Sequence, residues 1–154
     1  MATKDDFDQD EWQQLLEMPW VAGVVVIGAD PSWRIVGEFK AMAAAVVADV
    51  SRGPAETLIK ELVSGMEADQ ADFDDRDDDI GSDAEMLEIL RQCGVVIAAR
   101  CTDDESAHLR EWVLGVARAT AQARREGGFL GIGSVRVSDD ERAAISRIDA
   151  ALTA

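Results

Sequence analysis

Three times along this chain a hydroxyl residue stands three positions ahead of a glutamate, and each time a run of apolar residues at helical spacing follows. Ser82-Asp83-Ala84-Glu85 leads into Met86, Leu87, Leu90, Cys93 and Ile97. Thr102-Asp103-Asp104-Glu105 leads into Leu109, Trp112, Val113, Val116 and Ala123, and Ser138-Asp139-Asp140-Glu141 into Ala144, Ile145, Ile148 and Leu152. The first turn of a helix leaves backbone N–H groups without intrahelical acceptors. A hydroxyl oxygen that accepts from the amide three residues on, and a glutamate there that reaches back, satisfies two of them at once. A capping signal and a 3.6-residue apolar period are independent, so their agreement in three places specifies helix strongly.

The rest of the chain follows the same pattern. Asp30-Pro31-Ser32 reads as a cap with proline at the first helical position, ahead of Ile35, Phe39, Met42, Val46 and Val50. This predicts a helix over 31–51, roughly 30 Å long at 1.5 Å per residue. Gly53 ends it and Pro54 opens the next, whose apolar stripe is Leu58, Ile59, Leu62, Val63 and Met66. Nearer the start, Trp12, Leu15 and Leu16 share one face. Pro19 is then expected to interrupt, because proline fits a first turn but not a helix interior, and to open a second short helix from Trp20 to about Ala29. Val24, Val25, Val26 and Ile27 favour a strand by propensity. No partner strand of similar quality exists elsewhere, and a lone strand cannot satisfy its backbone, so helix is preferred. The expectation is an all-α, single-domain helical bundle of about six or seven helices over residues 1–154, the longest at 31–51 and 103–126.

Charge narrows the function classes. The 154 residues carry 31 acids against 15 Lys and Arg, a net charge of −16. Such a balance argues against binding nucleic acid, whose phosphates require cationic neutralisation. The longest uncharged stretch, Met18 to Ala29, is too short for a bilayer span of about 20 residues, so no membrane partner is expected. The N-terminus is acidic where a signal peptide would be basic and then apolar, and Cys93 and Cys101 form no CxxC. Both features point to a cytoplasmic protein whose thiols are reduced and in the core.

Two stretches are read as non-helical. An acidic loop near 67–83 is the most densely charged stretch; residues 67–85 hold ten acids and Arg76, more than half of the net charge. An EF-hand starting at Asp75 places Asp77 and Asp79 correctly, but position 6 is Ile80 and position 12 is Met86. The EF-hand is rejected, and Asp75, Asp77 and Asp79 remain as candidates for weak, irregular binding of a divalent cation. The ordinary reading is a solvated block of like charge. A Gly-rich loop near 127–137, GGFLGIGSVRV, lacks the Gly-Lys-Ser/Thr of a phosphate-binding loop and is read as structural, with Arg136 pairing Asp139 or binding an anion.

His108 is the only histidine, so neither a catalytic triad nor a zinc site can be assembled around it. Cys93 falls in an apolar helical phase rather than the electropositive, accessible setting a nucleophilic thiol needs. Trp12, Trp20, Trp33 and Trp112 read as core or interface anchors. Asp30 and Glu38 are the one acid pair considered for enzyme chemistry. Asp30 is already explained as a cap.

Three segments carry a resemblance: Glu11-Trp12-Gln-Gln-Leu-Leu-Glu-Met-Pro19, Ala29-Asp-Pro-Ser32, and Glu126-Gly-Gly-Phe-Leu-Gly-Ile-Gly-Ser-Val-Arg-Val-Ser-Asp-Asp-Glu141. Together they resemble a family of small bacterial all-helical proteins with no assigned activity. The closing Val-Ser-Asp-x-Glu helix is also distantly similar to the tellurite-resistance TerB-like helical domain. The resemblance implies a helical bundle, a link to stress responses and a metal association, and carries over no catalytic residue. The function expected is therefore a non-enzymatic cytoplasmic interaction or stress-associated module, a homo-oligomer or a binder of another protein, without a resident cofactor. The alternative is a divalent-cation-binding protein using the acidic-loop carboxylates, and the third class an enzyme using paired acids.

Overall fold

The computed structural model describes residues 1–28, 52–68, 81–126 and 139–153, with the backbone alone for 123–126. Among these residues there are five α-helices and no strand: α1 (Gln9–Gly28), α2 (Glu56–Ala68), α3 (Asp83–Arg100), α4 (Asp103–Glu126) and α5 (Asp139–Leu152). A single 3-10 turn, Lys4–Asp6, precedes them. The expected helix at 31–51, the Gly-rich segment and most of the acidic one lie outside the described residues. So do Trp33 and Arg136.

α1 is the centre of the arrangement, and each of the other four helices packs against it. From Met18 to Ile27 every residue but Trp20 is buried, so the helix is enclosed on all sides rather than along one stripe. A helix surrounded in this way must be apolar all round, which is why its valines carry no amphipathic signal. Val24 to Ile27 are helical, as preferred above, against their β-branched propensity: packing decides where intrinsic preference is worth only tenths of a kcal/mol.

Pro19 corrects the expectation of two helices. It lies inside one continuous helix, buried, as the eleventh residue of the helix. Proline has no N–H, so the carbonyl four residues back, on Leu15, loses its usual donor, at a cost of about 3 kcal/mol in an exposed helix. The surrounding apolar contacts of Leu15, Leu16, Met18 and Val21, each worth about 1.5–3 kcal/mol when buried, offset that loss and hold the helix through the proline. This merger and the segment outside the described residues account for counting five helices rather than six or seven.

The expected stripes are the buried ones, except that Leu87 and Ile145 are only partly buried against the core. α2 buries Leu58, Ile59, Leu62 and Val63 with Met66 packed at the edge, and α3 buries Met86, Leu90, Cys93 and Ile97. α4 contributes Leu109, Trp112, Val113 and Val116, and α5 contributes Ala144, Ile148 and Leu152. Trp12 is also in the core, while Trp20 is partly buried against it. α3 and α5 pack closely because Gly94 has no side chain: a Cβ there would stand 2.8 Å from the Leu152 carbonyl oxygen.

The caps form as the sequence indicates at two of the three positions. Ser82 Oγ accepts from the Glu85 amide at 3.4 Å while Glu85 Oε2 accepts from the Ser82 amide at 2.7 Å. Thr102 and Glu105 do the same at 3.3 and 2.9 Å. Ser138 lies outside the described residues. A further reciprocal pair opens α1, with Asp8 Oδ1 accepting from the Glu11 amide and Glu11 Oε2 from the Asp8 amide, each at 2.9 Å. Glu11 turns its other oxygen to Arg100 at the end of α3, at 2.9 Å, joining one helix start to another helix end.

Candidate functional site

The Glu105 carboxylate, only 4% exposed in the first turn of α4, is a buried charge that accepts hydrogen bonds from two separate segments. Its Oε2 accepts from the Thr102 amide at 2.9 Å and the Thr102 hydroxyl at 2.8 Å, completing the cap. Its Oε1 accepts from the Ala2 amide at 2.6 Å, with the Met1 amino nitrogen 3.7 Å away. The Thr102 and Ala2 amides together hold this carboxyl well below the usual carboxylate range, at about 2, against the opposing effect of burial. The N-terminal strap so fastened continues along the bundle. The Lys4 amide donates to Glu61 of α2 at 2.7 Å, Phe7 packs on Trp12 with ring centroids 6.2 Å apart, and Lys4 Nζ sits over the Trp12 ring at 5.5 Å.

His108, one turn further along α4, is half-buried. Its Nδ1 accepts from the Ala55 amide at 3.1 Å, just ahead of α2, and its ring lies where a Cβ on Gly53 would be, 2.5 Å from Cε1. With glycine at 53 the ring can sit this close; a side chain there would push the imidazole aside. The imidazole thereby supplies an acceptor to the buried start of α2, a capping function that ordinarily falls to a residue of the same segment.

Both cysteines are free thiols. Cys93 is buried, and burial with the nearby charge of Glu17 pushes its thiol up to about 12; its Sγ donates to the Gln14 carbonyl at 3.4 Å. Cys101 corrects the expectation of a core residue: it is half-buried at the end of α3, where its amide donates to the Ile97 carbonyl. Burial and the charge of Glu105 push its thiol up to about 11. A thiol is nucleophilic as the thiolate, and these surroundings disfavour that form.

On the outer side, α3 and α5 enclose an open depression of about 400 Å³, floored by Ala84, Leu87, Ala150 and Ala151. Glu88, Arg91 and Arg147 stand at its rim. Arg91 grips Glu88 with two nitrogens at 2.7 and 2.8 Å, which holds the Glu88 carboxyl down at about 2. Arg147 pairs with Asp83 across the two helices. Further along α5, Asp149 lies 2.8 Å from Arg110 Nε of α4 as an ion contact.

Asp75, Asp77 and Asp79, the candidate cation ligands, lie outside the described residues, as do Asp30 and Glu38. Among the described residues no three His, Cys, Asp or Glu side chains come together in a way that could hold a metal ion. No helix among them is long and apolar enough to cross a membrane. The sequence singled out Glu105 only as a cap. Its bond to Ala2 spans 103 positions and leaves no local pattern. His108 likewise has no signature as the acceptor for Ala55, beyond the neighbouring glycine and proline that mark a tight turn. No family model matches this chain, and no curated protein or solved structure does either.

Proposed function

We propose that this chain is a non-enzymatic cytoplasmic interaction or stress-associated helical module, acting by contact with a second copy or another protein. The observation that supports this reading is how the chemically capable groups are employed. Cys93 and Cys101 are held as thiols, the His108 Nδ1 lone pair is engaged by a backbone amide, and the buried Glu105 carboxylate accepts three hydrogen bonds. A general base must be within reach of a substrate proton, and a nucleophile must be both ionised and accessible. Cys93, His108 and Glu105 instead fasten one segment to another. The stress association rests on the distant resemblance of the closing Val137-Ser138-Asp139-x-Glu141 helix to TerB-like domains.

The reading is tested on the native protein by thiol alkylation at pH 8, calorimetry with Ca²⁺, Mg²⁺ and Mn²⁺, and sedimentation over a range of concentrations. Expected are a Cys93 thiol that reacts only after unfolding, a Cys101 thiol that reacts more slowly folded than unfolded, no heat with any cation to millimolar concentration, and a mass that rises with concentration. A thiol as reactive in the folded protein as in the unfolded one would overturn the non-enzymatic reading. Heat accompanied by a higher melting temperature would make the protein a cation binder, since a ligand of the native state stabilises it. A mass that stays monomeric throughout would remove self-association and leave a different protein as the partner.

A further inference from the structure

We draw no further inference here: the strongest candidate, the open apolar groove between α3 and α5 floored by Ala84, Leu87, Ala150 and Ala151, has rim charges already paired within the chain, and nothing in the structure shows what covers its floor.

Discussion

Glu105 joins two parts of the chain that are far apart in sequence, and its ionisation carries a definite consequence for acid stability. Its folded value of about 2 lies below the ordinary 4.5. The unfolded chain therefore takes up a proton first as the pH falls. The stability it contributes is fully present above pH 4.5 and is lost as the pH drops through about 2. Urea unfolding between pH 6 and 2 should show this loss. Glu105→Gln should lower stability at pH 7 by about 1–3 kcal/mol, the worth of hydrogen bonds to a charged group, and should flatten the profile below pH 4.5. An unchanged profile in that variant would mean that the Ala2 and Thr102 contacts contribute nothing. Glu85, lowered from its ordinary value chiefly by the Ser82 hydroxyl, adds to the acid sensitivity in the same direction.

Helices differ in how openly their residues announce them. α2, α3, α4 and α5 present stripes against the core, and periodicity alone placed their buried residues: Leu58, Leu62, Leu90, Ile97, Trp112, Ile148. Two of their starts could be read from a hydroxyl and a glutamate three apart, because a cap is a local interaction between near neighbours. α1 was legible in type and not in extent. Pro19 has the signature of a boundary, and only tertiary burial, which no local window contains, carries the helix through it. The same limit applies to the Glu105–Ala2 and His108–Ala55 bonds, where partners 103 and 53 positions apart meet through the packing of whole elements. Gly94 is another such case, a small residue inside a helix whose purpose appears only with α5 in place. Gly94→Ala should cost about 1–3 kcal/mol as overpacking, since the obstacle is the Leu152 backbone rather than a side chain that can turn aside. Chemical denaturation would read this. A variant as stable as the parent, or more so, would show that α3 and α5 can separate freely, because alanine otherwise favours a helix over glycine.

At the scale of the molecule, a net charge of −16 means that each added acid is placed against a repulsive field. Arginines relieve it locally: Arg100 with Glu11, Arg147 with Asp83, Arg110 with Asp149. Such exposed pairs contribute at most about 1 kcal/mol each. Replacing Asp69, Asp72, Asp74, Asp75, Asp77, Asp78 and Asp79 by Asn should therefore raise the melting temperature at low ionic strength. The gain should shrink at 1 M salt, where the screening length is about 3 Å. A lower melting temperature in that variant would mean the acids hold something together. The enclosure of α1 has a different outcome. With every other described helix leaning on one central rod, its enclosed stretch from Met18 to Ile27 cannot open to solvent while its neighbours stay seated. Deuterium should enter the amides of Val24, Val25, Val26 and Ile27 only when the whole bundle comes apart, at a rate set by global unfolding, while the termini of α2 and α5 exchange by fraying.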